Sequence, residues 1–124
     1  RILVDAPCSG FGVIRRLPEL KWRRRPADLV RLPRIQLALL EAAAALLRPG
    51  GLLLYSVCTG EPEETTVVAD NFSAAYPHFV PQPLESLLPS ELESSITAPG
   101  RLFFYPHIHG LDGFFIALWR KAQR

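Results

Sequence analysis

The sequence is poor in cysteine and has no methionine: its 124 residues include two cysteines and no Met. Secreted scaffolds held together by disulfides usually carry four or more cysteines, so we expect Cys8 and Cys58 to be reduced thiols. No run of residues approaches the ~20 apolar residues that a membrane-spanning helix requires. The composition, 48% hydrophobic and 21% charged, is typical of a globular core. We therefore expect a soluble, cytoplasmic protein with no membrane partner.

The absence of Met and the start on Arg1, inside a predicted strand, predict that the chain is a fragment. A natural domain seldom begins with an uncovered buried strand, because that strand presents an unpaired apolar edge. We expect residues 1–124 to be one partial domain that associates with a second copy through the exposed edge of strand 2–5.

Basic residues are missing from one part of the chain and concentrated in another. Residues 61–93 hold seven acids and neither Lys nor Arg, whereas residues 1–48 hold ten of the fourteen Lys and Arg residues. Segment 15–25 combines phosphate-pairing charge with an aromatic face that can stack on a base. Its candidate nucleic-acid-binding residues are Arg15, Arg16, Lys21, Trp22, Arg23, Arg24 and Arg25. A solvated loop that only confers solubility is the alternative interpretation.

Two apolar runs, residues 2–5 and 52–56, predict buried strands, and a cysteine follows each of them. A helical pattern lies between them, with Pro33 in its predicted first turn and stop signals at residues 48–51. Strand, helix and strand in this order predict a β-α-β unit of a parallel sheet. Since the carboxyl ends of neighbouring strands form the ligand crevice of such sheets, both thiols should face one site.

The rest of the chain predicts a helix, a short strand, a surface excursion and a closing antiparallel pair of strands, at residues 62–76, 79–83, 84–98, and 101–105 with 113–119. The excursion should contain a short helical turn around Pro89. Glu63 and Glu64 lie in the predicted first helical turn, where the helix dipole alone favours acids.

The cysteines are the candidate reactive groups, because a thiolate is a strong nucleophile once its pKa falls below its usual value of about 8.5. Cys58 precedes a predicted helix start, which favours an anion. Asp5 ends the first strand and is expected to face the same crevice, unless it serves only as a turn or cap residue. Each cysteine alone is also compatible with a buried small hydrophobe. A zinc site with His107 and His109 is disfavoured, since the cysteines lack close-paired ligand spacing.

Four stretches resemble the RNA 5-methylcytosine methyltransferases of the Sun (NOL) group, which use S-adenosylmethionine. Residues 5–10 (Asp-Ala-Pro-Cys-Ser-Gly) and 12–22 (Gly-Val-Ile-Arg-Arg, then Pro and Lys-Trp) are similar to its motifs. So are residues 49–64, with Pro-Gly-Gly, Cys58 and Pro-Glu-Glu, and 103–115, ending in Gly-Phe-Phe. Val57 and Thr65 depart from the family's usual Thr and Asn.

The resemblance implies the carboxyl-terminal half of a Rossmann-like α/β methyltransferase fold: parallel strands with crossover helices and a closing antiparallel hairpin. The resemblance also implies methylation of cytosine carbon 5 in RNA, with ribosomal RNA as the expected substrate. It implies that Cys58 is the covalent nucleophile and that Cys8 assists removal of the carbon 5 proton. Asp5 would contact the base, and Asp5, Ala6 and Pro7 would line part of the S-adenosylmethionine pocket.

No Gly-rich turn followed by a ribose-binding acid is present in the sequence, so we expect an incomplete cofactor pocket and an inactive isolated chain. A non-catalytic RNA-binding remnant or partner module of the same fold is the main alternative. A thiol redox or zinc protein is a third class.

Overall fold

The computed structural model describes residues 1–123, in which six strands form one mixed sheet. The strands are β1 (Ile2–Asp5), β2 (Leu52–Val57), β3 (Phe79–Pro81), β4 (Ile96–Ala98), β5 (Arg101–Phe104) and β6 (Phe114–Lys121). The helices are α1 (Leu20–Arg23), α2 (Asp28–Leu46), α3 (Thr66–Ala75) and α4 (Pro106–His109). Short 3-10 turns lie at Phe11–Val13, Pro62–Glu64, Glu85–Leu87 and Ser90–Ser95.

The sheet combines one parallel strand pair with antiparallel neighbours, in the order β1-β2-β6-β5-β4, with β3 also beside β6. β1 and β2 run parallel and α2 connects them, so the predicted β-α-β unit is confirmed. β5 and β6 form the predicted antiparallel pair. β6 also pairs antiparallel with the whole of β2. The last strand therefore lies inside the sheet and joins its two parts.

The main core lies between one face of the sheet and the helices α2 and α3. Alternate residues of β2 point into it: Leu53, Tyr55 and Val57 are fully buried. The other large contributors are buried apolar side chains of α2, α3, β3 and β6, namely Leu40, Ala43, Ala44, Val68, Ala69, Phe72, Phe79, Phe115 and Trp119. Because side chains alternate between the faces of a strand, this packing fixes the register of β2 and with it the direction of the residues that follow.

Helix α2 begins five residues before the predicted first-turn position of Pro33, so that prediction is wrong. The Asp28 side chain accepts a hydrogen bond from the Arg25 backbone N–H at 3.0 Å, and the Leu29 N–H donates to the Pro26 carbonyl at 3.1 Å. These bonds close the first turn around Asp28. Pro33 then lies in the second turn, where its missing N–H leaves one carbonyl near the start of the helix without a helical partner.

The segment 84–98 forms the predicted excursion with a helical turn, and it also contributes β4, which the sequence analysis did not predict. Leu84 is buried with Leu102 and Leu118 in a small cluster on the second face of the sheet. β4 pairs with β5 with an irregular register. A three-residue strand carries too little periodicity to be recognised in the sequence.

β1 is the edge strand of the described sheet, since β2 is its one strand neighbour among residues 1–123. Leu3 on this strand is 64% exposed. The exposed edge agrees with the sequence expectation of an uncovered first strand. Self-association through this edge stays a prediction.

Replacing Phe72 by Ala should lower the free energy of unfolding by about 3–5 kcal/mol, because it empties the centre of the main core. The Phe72 ring lies 5.0 Å from that of Trp119 and 5.2 Å from that of Phe79, and Phe72 is fully buried. Chemical denaturation of the full-length protein measures the change. Val67→Ala on the same helix, where the side chain is 45% exposed, is the control and should change stability by less than about 0.5 kcal/mol. Equal losses of stability in the two variants would show that the Phe72 side chain does not lie at the centre of the core.

Candidate active site

The two cysteine thiols meet at the carboxyl ends of β1 and β2, as the sequence predicts. Asp5 pairs with Ser56 in the parallel register, and Cys8 and Cys58 follow a few residues beyond this pair. The Sγ atoms of Cys8 and Cys58 lie 3.4 Å apart, and neither cysteine is in a disulfide. Both side chains are half-buried. The pair is thus within hydrogen-bonding distance and partly open to solvent.

The close contact makes the two thiols unequal in acidity. The hydrogen bond from Cys8 lowers the pKa of Cys58 to about 7, against the opposing effect of burial. The same hydrogen bond, together with burial, raises the pKa of Cys8. When the pair loses a proton, the favoured arrangement is therefore a Cys58 thiolate that accepts a hydrogen bond from the Cys8 thiol. Since the thiolate is the reactive form, Cys58 is the stronger nucleophile of the two.

The helix that follows Cys58 is not the main cause of this acidity, in contrast to the sequence interpretation. Helix α3 begins at Thr66, and a 3-10 turn at Pro62–Glu64 precedes it. The Cys8 thiol makes the largest contribution, and the backbone N–H of Cys58 itself makes a smaller one. The carboxylates of Asp5 and Glu64 act in the opposite direction and raise the pKa of Cys58.

The side chain of Glu64 holds the loop that carries Cys8. The sequence predicts only a helix-dipole role for this residue. Glu64 is fully buried. Its Oε1 accepts a hydrogen bond from the Ser9 backbone N–H at 2.7 Å, and its Oε2 accepts one from the Ser9 hydroxyl at 2.6 Å. Gln36 on α2 donates from Nε2 to Glu64 at 3.1 Å and to the Pro7 carbonyl at 3.0 Å. No periodicity distinguishes this buried acid from exposed Glu63, and the one sequence feature that contains it is the Pro-Glu-Glu motif.

Arg24, which is half-buried, also holds this loop. Its Nε donates to the Ser9 carbonyl at 2.8 Å and its Nη2 to the Cys8 carbonyl at 3.2 Å. Arg24 is one of the predicted nucleic-acid-binding residues. The structure gives it a local function as well, because its guanidinium group is engaged with the backbone of the thiol loop.

A close backbone approach ties the two thiol loops to the loop before β6. The Gly12 N–H donates to the Cys58 carbonyl at 2.9 Å, and the Gly113 N–H donates to the Gly12 carbonyl at 2.8 Å. A Cβ atom on Gly12 would lie 2.1 Å from the Gly113 carbonyl oxygen. Gly12 is thus required by space at the point where the three segments meet.

Asp5 is the last residue of β1, and Ala6 and Pro7 connect it to Cys8. Asp5 and Pro7 are exposed, whereas Ala6 is buried and its N–H donates to the Ser56 carbonyl at 3.1 Å. The Asp5 carboxylate raises the pKa of Cys58. Within residues 1–123 this carboxylate accepts no side-chain or backbone hydrogen bond, so its oxygens are available to a ligand.

The basic segment 15–25 lies on the surface next to the thiol loop. Arg15 and Arg16 both contact Asp112, at 2.9 Å and 3.1 Å. Trp22 is 82% exposed, and the Lys21 Nζ lies 5.3 Å from the centre of its ring. Arg23 and Arg25 are also exposed. The segment thus offers cations and one free aromatic face to solvent, with Arg24 turned inward.

His107 and His109 belong to α4, and His109 Nδ1 accepts a hydrogen bond from the Tyr105 N–H at 2.9 Å. Across residues 1–123, the structure brings together no group of three His, Cys, Asp or Glu side chains that could hold a metal ion. None of the helices formed by this part of the chain has the length and apolar character needed to cross a membrane.

The fold and the site define an α/β protein of the Rossmann-like methyltransferase type with a two-cysteine candidate active site. Residues 1–120 match the family model of the 16S rRNA methyltransferase RsmB/F family, and the chain belongs to this family. The resemblance to the Sun group that the sequence motifs indicate is therefore confirmed.

Curated relatives match nearly the whole chain. The probable ribosomal RNA small subunit methyltransferase B of Bacillus subtilis is 48% identical over 122 residues, which cover 98% of this chain and 27% of the relative. The ribosomal RNA small subunit methyltransferase B of Thermus thermophilus is 40% identical over 123 residues, which cover 99% of this chain and 29% of the relative. The chain thus spans little more than a quarter of the length of these relatives.

Solved structures share the fold. A crystal structure of NSun6 from Pyrococcus horikoshii with SFG superposes with a TM-score of 0.78 at 32% identity, over 99% of this chain and 30% of that one. A methyltransferase homologue from the same organism gives a TM-score of 0.73 at 33% identity, over 97% of this chain and 38% of that one.

We expect iodoacetamide to alkylate Cys58 with a half-maximal rate near pH 7. Cys8→Ala removes the hydrogen-bond donor, so the midpoint should rise towards the ordinary thiol value of about 8.5. Peptide mass spectrometry of the full-length protein, alkylated at a series of pH values, measures both midpoints. Cys58→Ala is the control and should remove the phase near pH 7. A midpoint that does not move in Cys8→Ala would show that the thiol contact does not set the acidity of Cys58.

Proposed function

We propose that this chain carries the catalytic thiols of an enzyme that methylates carbon 5 of cytosine in RNA, with ribosomal RNA as the substrate class. The observation that carries the proposal is the 3.4 Å contact between the Cys8 and Cys58 Sγ atoms, at the strand ends where an α/β sheet binds its ligands. Membership of an rRNA methyltransferase family supports the reaction class and the RNA substrate. We choose cytosine carbon 5 as the methylated atom because its methylation requires a nucleophilic thiol, which Cys58 would supply.

The proposed role of Cys58 follows from the chemistry of the base. Carbon 5 of cytosine is a poor nucleophile, and addition of a thiolate to carbon 6 makes carbon 5 electron-rich. Cys58, with its pKa lowered to about 7, supplies that thiolate near neutral pH. S-adenosylmethionine, when bound, supplies an electrophilic methyl group.

The proposed role of Cys8 follows from a change in its surroundings during the reaction. The largest cause of the raised pKa of Cys8 is its hydrogen bond to Cys58. Once the Cys58 sulfur is bonded to carbon 6, it no longer carries the negative charge that holds the Cys8 proton. The half-buried Cys8 thiol then loses its proton to solvent more readily. The Cys8 thiolate takes the proton from carbon 5, and the electron pair of that C–H bond forms the carbon 5–carbon 6 double bond as Cys58 leaves as a thiolate.

Asp5 is proposed to bind the edge of the target base and to favour the charge that develops on the ring. Its exposed carboxylate has no hydrogen-bond partner within residues 1–123 and lies close enough to Cys58 to raise its pKa. Asp5, Ala6 and Pro7 also fit one wall of an S-adenosylmethionine site, since they occupy the strand end where the cofactor of a Rossmann-like fold binds. A neighbouring structure solved with SFG, an analogue of S-adenosylmethionine, supports this cofactor.

We further propose that residues 1–124 form part of a larger catalytic domain and do not turn over alone. A single exposed carboxylate on β1 supplies few of the contacts that a nucleoside cofactor needs, and the relatives are more than three times as long as this chain. The exposed edge of β1 is where a further strand would complete the sheet.

A non-catalytic RNA-binding remnant is the second candidate, and the basic segment 15–25 is the observation that favours it. Both functions use this segment to bind RNA. They differ in their requirement for Cys58: turnover needs its thiolate, whereas binding alone does not.

Full-length protein incubated with S-adenosylmethionine and RNA that carries 5-fluorocytosine should form a covalent adduct. After methyl transfer, carbon 5 carries fluorine in place of the proton that the base removes, so the elimination is blocked and the adduct accumulates. Mass spectrometry of the protein–RNA complex should find the adduct with the unmodified sequence and with Cys8→Ala, and none with Cys58→Ala. Absence of an adduct with every ribosomal RNA substrate offered would favour the binding remnant.

Trp22→Ala should weaken RNA binding by about 1–3 kcal/mol, the range for one base stacked on an aromatic side chain. Arg23→Ala should instead reduce the slope of log K against log salt by about one. Fluorescence anisotropy with labelled RNA at several salt concentrations separates the two effects. Arg48 is an exposed arginine two residues after the end of α2, and Arg48→Ala is the matched control that should leave binding unchanged. Equal losses for Arg48→Ala and Arg23→Ala would show that RNA does not follow the basic segment.

A further inference from the structure

We propose that Glu64 is a positioning residue of the site: its buried carboxylate fixes the Cys8 loop against the Cys58 loop and so holds the two thiols in contact. The proposal rests on the proposed function for its biological meaning, but it concerns the geometry of the thiols and is tested without substrate. The observation that supports the proposal is that Glu64 is fully buried and accepts three hydrogen bonds.

The donors to Glu64 come from the segment that carries Cys8. Ser9, the residue after Cys8, donates both its backbone N–H and its hydroxyl to the carboxylate. Gln36 donates to the carboxylate and to the carbonyl of Pro7, the residue before Cys8. The backbone on both sides of Cys8 is therefore held by one anion and the amide beside it.

The backbone of Glu64 is in turn tied to the strand that carries Cys58. Its carbonyl accepts a hydrogen bond from the Tyr55 hydroxyl at 2.7 Å, and Tyr55 lies on β2 three residues before Cys58. Glu64 therefore bridges the two elements whose ends hold the thiols.

A second link passes through the hydroxyl groups of Ser9 and Thr59, whose oxygens are 3.0 Å apart. Ser9 has a single hydroxyl proton, and the charged Glu64 oxygen at 2.6 Å is the stronger acceptor for it. The Thr59 hydroxyl must then donate to Ser9. Since Ser9 follows Cys8 and Thr59 follows Cys58, this short chain of hydrogen bonds connects the two loops directly.

The charge of Glu64 does not help the nucleophile. An anion near Cys58 opposes formation of the thiolate, and Glu64 raises the pKa of Cys58 by this route. An acid at this place is explained by the hydrogen bonds that it accepts. Loss of its charge alone should make Cys58 more acidic, whereas loss of its positioning should make Cys58 less acidic, because the Cys8 donor moves away. The two roles thus predict shifts of opposite sign.

Glu64→Gln in the full-length protein tests the proposal through the pH dependence of iodoacetamide alkylation at Cys58. The amide nitrogen cannot accept the Ser9 hydrogen bond, so we expect the midpoint to rise by about one pH unit and the rate at pH 7 to fall roughly fivefold. Glu63→Gln is the matched control, with the same change of charge on the neighbouring exposed side chain, and should leave the midpoint in place.

The double variant with Cys8→Ala separates positioning from general loosening of the fold. If Glu64 acts through Cys8, then adding Glu64→Gln to Cys8→Ala should raise the midpoint no further. Ser9→Ala removes one donor and keeps the backbone N–H, so it provides a milder variant if Glu64→Gln does not fold, and it should shift the midpoint upward by a smaller amount.

A midpoint that falls or stays unchanged in both Glu64→Gln and Ser9→Ala would overturn the proposal. A further rise in the Cys8→Ala background would also overturn it, since Glu64 would then act by another route. The assay contains neither RNA nor S-adenosylmethionine. A failed methylation assay beside the expected alkylation shifts would therefore count against the proposed function and leave the role of Glu64 standing.

Discussion

The parallel pairing of β1 with β2 is the constraint on which the site depends. In a parallel pair the strands end at the same edge of the sheet, and the register of Asp5 with Ser56 brings the following residues to one level. Each strand keeps its face because Val4 on β1 and Leu53, Tyr55 and Val57 on β2 are packed in the core. The contact of two residues fifty positions apart is therefore a consequence of sheet geometry and core packing.

This backbone frame is completed by a buried polar network. The strand ends alone leave the loops after them free to adopt many conformations, which lowers the probability of a thiol contact. Glu64, Gln36 and Arg24 replace that freedom with directed hydrogen bonds from three separate elements. A buried carboxylate is tolerated because its oxygens accept three hydrogen bonds, which offset the loss of water. The charge of Glu64 raises the pKa of Cys58, but the hydrogen bonds that Glu64 accepts fix the separation of the two sulfur atoms.

The sequence was sufficient to predict the elements whose patterns are local. Strands β1 and β2 are marked by continuous apolar runs, and the helix between them by its helical pattern and its stop signals at residues 48–51. The convergence of the cysteines follows from the order of these elements. The early start of α2 was missed because it depends on the side chain of Asp28 bonding to the backbone of Arg25. The roles of Glu64 and Arg24 were missed for a similar reason: whether an acid or an arginine turns inward depends on tertiary donors and acceptors that no spacing reveals.

The place of β6 in the middle of the sheet has a consequence for how the molecule folds. This strand pairs with β5, which precedes it closely along the chain, and also with β2 and β3, which are distant from it. Contacts between distant segments are slow to form, since a long loop must close before any of them is gained. Helix α2 can begin to form early, but the far edge of β2 stays unpaired until β6 arrives. During synthesis β6 must therefore leave the ribosome before β2 gains its second neighbour. Until then an apolar edge of β2 is exposed to other chains.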